Sequence, residues 1–298
     1  MGTDVSGATR LGRVGIWSFE LRYGDTAAIR DAAAELESLG YSTLWVPGGI
    51  GGAVFDDCER LLAATEHVPV ATGILNLWYH SIQETCEGHE RVTTAHPGRF
   101  VLGIGVSHSA LVDSQEPGRY AKPLEVTRSF LDDIDASVPT VPKGERMLAA
   151  LGPKMLELSR DRTAGAHPYL VPPEHTKAAR EILGPGALLA PEQHVVLETD
   201  PAAAREVARE SLALYLTLKN YQNSWRRAGF TEDDIRAPGS DRLVDAIVAW
   251  GNETAIARRV QEHLDAGADH VCIQVATAQS RSAMPLDEWR SLAPALVT

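Results

Sequence analysis

Residues 11–46, LGRVGIWSFELRYGDTAAIRDAAAELESLGYSTLWV, contain a complete strand–helix–strand unit. Residues 11–17 and 41–46 are apolar enough to form two buried strands. Between them, Asp25 is placed to cap a helix whose apolar residues recur at helical spacing, and Gly40 is placed to end it. A helix between two strands predicts that the strands pair in parallel, because the crossover must return the chain to the same edge.

The same alternation of strand and helix continues along the whole chain. Strands are predicted at residues 11–17, 41–46, 68–75, 99–105, 146–151, 164–169, 194–198 and 270–275. Helices are predicted at residues 25–40, 56–66, 81–95, 173–183, 200–218, 243–250, 253–266 and 286–297, and a further helix is predicted to begin at Gly152-Pro153. Eight strands with intervening helices predict an α/β protein with a (β/α)8 barrel fold. We interpret residues 1–298 as one domain, with a loop over the barrel mouth at 108–146 and extra helices at 220–241.

Composition excludes several functional classes. The formal net charge of −12 argues against non-specific nucleic-acid binding, which needs a surplus of Lys and Arg. Cys58, Cys86 and Cys272 form no CxxC pair, so we expect three free thiols in a reducing compartment. Residues 1–10 lack the apolar core of a signal peptide, and no apolar run is long enough to span a bilayer. We therefore expect a cytoplasmic protein that binds neither nucleic acid nor membrane.

Familiar catalytic motifs are missing from the sequence. There is neither a GxxxxGK[ST] phosphate loop nor a GxSxG nucleophile motif. His89-Glu90 is not followed by the second His of HExxH, so no metal site is predicted. Residues 103–105 begin like a dinucleotide fingerprint, but His108 occupies the position of its third Gly. Candidate residues must therefore come from the fold.

In a (β/α)8 barrel, functional residues follow the carboxyl ends of the strands. Those positions contain the following candidates: Trp17, Glu20, Pro47, Gly48, Gly73, Ile74, Asn76, Gly105, Val106, Ser107, His108, Leu151, Gly152, Pro153, Lys154 and His167.

Some of these candidates suit a phosphorylated, flat ligand. Gly152-Pro153 begins a predicted helix, whose free N–H groups and positive dipole can hold an anion. Residues 105–107 offer further N–H groups and a hydroxyl, and Lys154 adds charge. Trp17 and Trp78 could wall a flat ligand, or could only pack the rim of the barrel. Equally, Gly-Pro could be no more than a helix start.

Three ionisable residues are candidates for proton transfer: His108, His167 and Glu20. Each also has a plain structural interpretation, as a packed histidine or a solvated loop acid. Four other histidines are interpreted as surface or helix-end residues: His67, His96, His194 and His263.

Two sequence blocks resemble a known family. Residues 68–76, VPVATGILN, and residues 96–105, HPGRFVLGIG, resemble the luciferase-like monooxygenase superfamily, and more closely its actinobacterial F420-dependent oxidoreductases. LGPKMLEL at residues 151–158 and AGADHV at 266–271 are similar to further parts of that family. The resemblance extends over residues 12–297.

The resemblance implies a barrel that binds F420, or as a second choice FMN, in its mouth and transfers a hydride to or from a small organic substrate. It implies a non-prolyl cis peptide at Gly73-Ile74 behind the cofactor ring, phosphate contacts at residues 105–107 and at Gly152-Pro153, and a homodimer. One departure stands out. Pro47-Gly48-Gly49 occupies the place where some F420 enzymes carry an acid and a histidine.

Two other functions remain open. A non-catalytic flavin- or deazaflavin-binding protein would explain the missing acid and histidine after the second strand. A barrel enzyme acting on a phosphorylated metabolite, without a redox cofactor, would use the same phosphate contacts.

Overall fold

The computed structural model describes residues 11–49, 52–278 and 283–297. The interpretation of residues 1–10 as a segment without a signal core lies outside the described residues. The described strands are β1 Val14–Trp17, β2 Leu44–Val46, β3 Val70–Thr72, β4 Leu75–Asn76, β5 Phe100–Gly105, β6 Arg146–Leu148, β7 Gly165–Ala166, β8 Leu188–Leu189, β9 Glu192–Val196, β10 Val248–Trp250 and β11 Val271–Val275. Every strand pair is parallel, as the intervening helices predict.

The sheet closes on itself through a strand in two segments. The ladder runs from β11 through β1, β2, β3, β5, β6 and β7 to β8, and β9 pairs with β11. Only Ala190 and Pro191 separate β8 from β9, and Cys272 N donates to the Pro191 carbonyl at 3.1 Å. The eight barrel positions are therefore all occupied, and the predicted (β/α)8 barrel is confirmed.

Helices surround the barrel and also cover part of its mouth. They are α1 Glu20–Tyr23, α2 Thr26–Ser38, α3 Val54–Ala63, α4 Ile82–Ala95, α5 Ser109–Gln115, α6 Pro123–Ala136, α7 Pro153–Arg162, α8 Pro173–Leu183, α9 Pro201–Leu212, α10 Lys219–Arg227, α11 Glu232–Ile235, α12 Asp241–Ile247, α13 Glu253–Asp265 and α14 Leu286–Leu296. None of the helices in the described ranges is long and apolar enough to cross a membrane.

Two predicted helix starts are confirmed by their caps. The Asp25 carboxylate accepts hydrogen bonds from the N–H groups of Ala27 and Ala28 at the start of α2. Asp200 caps α9 in the same way, with Pro201 as the first helical residue. Short polar side chains at these positions satisfy N–H groups that have no partner within the helix.

Several elements differ from the prediction. The helix predicted at 243–250 ends at Ile247, and Val248–Trp250 forms β10 beside β9, because tertiary pairing outweighs the local apolar pattern. The helix predicted at 200–218 ends at Leu212. Leu188–Leu189 is an unpredicted strand, too short for a periodic signal.

The two irregular regions are mainly helical. Residues 108–146, predicted as a mouth loop, contain α5 at the mouth and α6, which packs on the outside against α4 and α7. Residues 220–241 contain most of α10 and all of α11, and a separate apolar cluster around Trp225 holds them against α9 and α12.

The predicted third strand is interrupted by a bulge at the barrel mouth. β3 ends at Thr72, the Gly73–Ile74 peptide bond is cis as the resemblance implied, and β4 resumes at Leu75. Gly73 N donates to the Val46 carbonyl at 2.7 Å, and Gly48 N donates to the Ile74 carbonyl at 3.1 Å. A Cβ at position 48 would lie 2.1 Å from the Ile74 oxygen. Glycine therefore stands after β2 because the bulge leaves no room for a side chain.

We expect Gly48→Ala to destabilise the fold by about 1–3 kcal/mol, because the added methyl overlaps backbone atoms that cannot move aside cheaply. Urea unfolding at neutral pH measures the effect. Gly144→Ala is the matched control, since no atom lies within 4 Å of a Cβ at that position. Equal stability of the two variants would contradict the close packing of the bulge.

Buried histidines occupy the barrel and its helix layer. His270 Nδ1 donates to the Gly12 carbonyl at 3.0 Å, while its Nε2 accepts from Trp45 Nε1 at 3.1 Å. Burial lowers the pKa of His270 from 6.5 to about 4. His263, between Thr176 and Gln193, has its pKa lowered to about 3 for the same reason. It lies in the last turn of α13, as the helix-end interpretation has it, but it is buried and not at the surface, because this side of α13 packs onto the barrel.

These lowered pKa values predict acid sensitivity. Between about pH 6.5 and pH 4, histidines take up protons in the unfolded chain but stay neutral where they are buried in the folded chain. The free energy of unfolding therefore falls as pH falls. The steepest contribution is roughly 1.4 kcal/mol per pH unit for each such histidine. Urea unfolding from pH 7.5 to 5 measures the slope. His270→Gln should reduce it, and His67→Gln, at an exposed site, should leave it unchanged.

Candidate active site

A cavity of about 440 Å³ opens at the carboxyl ends of the strands, beside the bulge; we call it the bulge cavity. Predicted site residues that line it are Trp17, Pro47, Gly48, Gly73, Ile74, Asn76, Val106, Ser107, His108, Leu151, Gly152 and His167. Four candidates lie elsewhere: Glu20, Gly105, Pro153 and Lys154. The structure thus brings most of the strand-end candidates into one concave site.

Three residues that line this cavity each have a buried polar atom without a hydrogen-bond partner in the described part of the chain. These atoms are Trp17 Nε1, Asn76 Nδ2 and His167 Nε2. A Cβ added to Gly73 would lie 2.3 Å from Trp17 Nε1 and 3.1 Å from His167 Nε2, so these two nitrogens converge on one spot. Buried polar groups normally have partners, and unsatisfied ones are costly. These three residues are therefore the candidates for hydrogen bonds to a ligand in this cavity.

The polarity of His167 is fixed by the barrel. Its Nδ1 lies 2.7 Å from the Ala190 carbonyl oxygen, which can only accept, so Nδ1 carries the proton. The ring stacks on Trp45 with centroids 4.3 Å apart. Burial lowers the pKa of His167 to about 4. At neutral pH its Nε2 is therefore an acceptor, while Trp17 Nε1 and Asn76 Nδ2 are donors.

His108 also lines the bulge cavity, at the start of α5. Burial lowers its pKa to about 4, so the ring is neutral at physiological pH. Asn220 lies within 3.4 Å of its Nδ1, and Tyr221 packs against the ring with centroids 5.4 Å apart. A neutral imidazole in this position accepts a proton more readily than it supplies one.

At the predicted anion site, the positively charged side chain beside Gly152 is Arg227 and not the expected Lys154. Gly152 begins α7 without a side-chain cap and lines the cavity, but Lys154 is exposed and does not. Instead Arg227 Nη2 donates to the Leu151 carbonyl at 3.2 Å and lies 3.8 Å from the Cβ position of Gly152. Within the described ranges, Arg227 forms no ion pair. The sequence did not indicate it, because it lies far along the chain on α10.

Two candidates do not line the cavity themselves but contact residues that do. Gly105 sits beneath Ile74, whose Cδ1 would be 2.7 Å from a Cβ at position 105. Trp78 does not line the cavity, and its indole donates to the Val106 carbonyl at 2.8 Å. Ser107, the next residue, has a φ of 55° that turns the chain into the cavity wall.

A second cavity of about 590 Å³ lies across the mouth; we call it the His194 cavity. Glu20 lines it rather than the bulge cavity, and its carboxylate accepts from Ser18 Oγ at 2.6 Å. Phe19, Leu214 and Tyr215 line both cavities and so form a shared wall. The mouth is therefore a two-part site.

His194 is buried on the barrel side of β9, and its interpretation as a surface residue is wrong. The predicted strand began at residue 194, whereas β9 begins at Glu192. The missed signal is Glu-x-His immediately before two valines, since residues two apart in a strand point to the same face. His194 Nδ1 lies 2.5 Å from Glu192 Oε1, and both side chains are almost completely buried.

Tyr169 connects the two cavities. Its hydroxyl donates to Gln274 Oε1 at 2.8 Å, so the Tyr215 hydroxyl at 3.1 Å donates to Tyr169. Burial raises the pKa of Tyr169 well above 10, which keeps it a neutral phenol. Its ring contacts His194 and Trp17, with centroids 5.6 Å and 5.5 Å away.

Solved structures with the same architecture bind deazaflavin or flavin cofactors. An F420-dependent secondary alcohol dehydrogenase, in complex with an F420-acetone adduct, is 12% identical, with a TM-score of 0.73 over 96% of this chain and 99% of that one. The coenzyme F420-dependent tetrahydromethanopterin reductase from Methanopyrus kandleri is 13% identical, with a TM-score of 0.72 over 96% and 98%. At these identities the likeness shows a shared fold.

A flavin enzyme has the same fold. The oxygenating constituent of 3,6-diketocamphane monooxygenase from Pseudomonas putida, in complex with FMN, is 11% identical, with a TM-score of 0.67 over 95% of this chain and 96% of that one. No protein with a curated function matches the sequence. The sequence profile of the luciferase-like monooxygenases matches residues 15–270. This match covers most of the chain, so the protein belongs to the luciferase-like monooxygenase family.

Proposed function

We propose that the protein is an oxidoreductase that transfers a hydride between F420, or as a second choice FMN, and a small organic substrate. The observation that carries the proposal is the set of three unpartnered polar atoms on residues that line the bulge cavity, Trp17 Nε1, Asn76 Nδ2 and His167 Nε2. F420 comes first because residues 68–76 and 96–105 resemble the F420-dependent group more closely.

The residues present fit the head of such a cofactor. The pyrimidine edge of a deazaflavin or flavin carries carbonyl oxygens and an N–H group. Trp17 Nε1 and Asn76 Nδ2 offer donors for the carbonyls, and His167 Nε2 offers an acceptor for the N–H group. A cavity of about 440 Å³ is also within the normal range for cofactor sites.

The other end of the site fits the phosphate. Gly152 at the start of α7 supplies free backbone N–H groups and the positive end of the helix dipole. Arg227 supplies the positive charge beside them. A ring bound at the bulge and a phosphate bound at Gly152 would place one ligand along the whole cavity.

The bound cofactor supplies the hydride chemistry, and the chain supplies position and exclusion of water. The bulge at Ile74 supports one face of the ring site, and Trp17 with Tyr169 closes its side. His108 and His167 are neutral, so both act there as hydrogen-bonding groups or proton acceptors. The glycines after β2 leave no acid or histidine at that edge, as the packing of Gly48 requires.

Titration of the purified protein with F420 and with FMN, followed by cofactor fluorescence, tests the proposal. Saturable binding is expected, with Trp17→Phe weakening it about 3- to 10-fold through loss of one buried hydrogen bond. Trp289→Phe is the matched control, because Trp289 Nε1 is also buried and unpartnered but lies away from the cavity. No saturable binding of either cofactor would refute the proposal. Binding without turnover of any substrate would favour a non-catalytic binding protein.

Arg227→Ala is expected to weaken cofactor binding about 3- to 10-fold, through loss of one partly screened contact between the guanidinium and the phosphate. The effect should shrink as salt is raised, which a titration at two ionic strengths measures. Arg236→Ala serves as control, since Arg236 is exposed and pairs only with Asp233 among the described residues. Competition by simple phosphate esters, in a protein that binds neither F420 nor FMN, would favour an enzyme for phosphorylated metabolites.

A further inference from the structure

Strand β9 presents an acid and a histidine to the same face. Glu192 and His194 are two residues apart, so their side chains point to one side of the strand. Gln193, between them, points outward, where its Oε1 lies 2.9 Å from Nε2 of His263 in the helix layer. Glu192 and His194 therefore face the barrel interior, at its carboxyl end.

The carboxylate fixes the orientation of the imidazole. Glu192 is completely buried, with Oε1 2.5 Å from His194 Nδ1 and Oε2 accepting from Leu170 N at 3.1 Å. A carboxylate bonded to Nδ1 holds the proton on that nitrogen and leaves the lone pair on Nε2. His194 Nε2 has no hydrogen-bond partner in the described ranges, and the ring forms part of the wall of the His194 cavity.

The groups facing the imidazole come from several elements. Tyr169 and Tyr215 pack edge-on against the ring. Gln274 lies opposite His194 in the ladder between β9 and β11. Glu20 and Glu210 line the same cavity. Among these groups, the His194–Glu192 pair alone combines a buried carboxylate with an imidazole nitrogen open to the cavity.

We propose that His194 is the group that exchanges a proton with the substrate, that Glu192 positions it, and that the His194 cavity is the substrate subsite. This proposal rests on the proposed function. In oxidation of an alcohol, the carbon gives a hydride to the oxidised cofactor while the O–H bond breaks, its proton passing to Nε2 and its electron pair forming the carbonyl. In reduction of a carbonyl, the hydride and the proton return to carbon and oxygen.

The cavity indicates the class of substrate. Phe19, 40% exposed, and Leu214, 57% exposed, give it apolar surface beside the carboxylates of Glu20 and Glu210, whereas the buried His194 and the neighbouring Gln274 offer further polar groups. A compound with an apolar body and one hydroxyl or carbonyl group matches this division. Its polar group would reach His194 while the body rests against the shared wall.

Reaction with diethyl pyrocarbonate, which acylates neutral imidazole nitrogens, tests the state of His194 without any substrate. Peptide mass spectrometry of the full chain should find His194 modified, and Glu192→Gln should slow its modification at least fivefold. Exposed His67 is the internal reference and should react at the same rate in both proteins. Resistance of His194 while His67 reacts fully, or equal rates in both proteins, overturns the proposal.

Single-turnover kinetics with the cofactor that saturates in titration test the role itself. Secondary alcohols with oxidised cofactor and ketones with reduced cofactor are the probes. His194→Gln should lower the rate at saturating substrate at least 100-fold, typical of a lost general acid–base, and flatten its pH profile. The cofactor Kd of the His194→Gln variant should stay within twofold of the wild-type value. The rate of the His67→Gln variant should match that of the wild type.

The outcomes distinguish failure of the proposed function from failure of the role proposed for His194. Failure to bind either cofactor overturns the proposed function, whereas the acylation result still decides the state of His194. Normal cofactor binding with an undiminished rate in His194→Gln overturns the role of His194 alone. Turnover of no alcohol or ketone by the wild type overturns the substrate class.

Discussion

The contact between Gly48 and the Ile74 carbonyl organises the mouth of the barrel. Two hydrogen bonds tie the end of β2 to the bulge, one from Gly73 to Val46 and one from Gly48 to Ile74. The same bulge sets Ile74 against Gly105 and brings the backbone of Gly73 beside Trp17 and His167. A single close approach of two backbone segments therefore shapes the floor of the cavity, and it also explains why no charged side chain follows β2.

Sequence predicted the barrel well because its signals are local. Helical spacing, caps such as Asp25 and starts such as Asp200-Pro201 depend only on neighbouring residues, and the structure contains them. Most strand-end candidates also reach the mouth, because in parallel sheets all carboxyl ends meet at one edge. The features that the sequence did not predict depend on contacts between distant parts of the chain. β10 exists because β9 offers it a pairing edge, and Arg227 reaches Gly152 only through the fold of α10.

His194 shows the limit of a residue-by-residue interpretation. With the strand taken to start at residue 194, the histidine is interpreted as a surface or helix-end residue, whereas the structure places two strand residues before it. That shift brings Glu192 into the same strand and onto the same face. Glu20 lines the His194 cavity and not the bulge cavity for a related reason. Helix α1 begins at Glu20 and places this side chain on the other side of the shared wall. Distances across the mouth cannot be obtained from spacing along the chain.

The break between β8 and β9 has an effect beyond barrel closure. Ala190 lies in this break, its N–H donates to the Ala166 carbonyl, and its own carbonyl is left to accept from His167. The sheet therefore dictates which nitrogen of His167 carries hydrogen, and the floor of the cavity acquires a fixed pattern of donors and acceptors. Such a pattern can distinguish tautomers of a heterocycle, because moving one ligand hydrogen would set two lone pairs or two hydrogens against each other. The pattern of donors and acceptors at the floor of the cavity thus begins in an irregularity of the backbone.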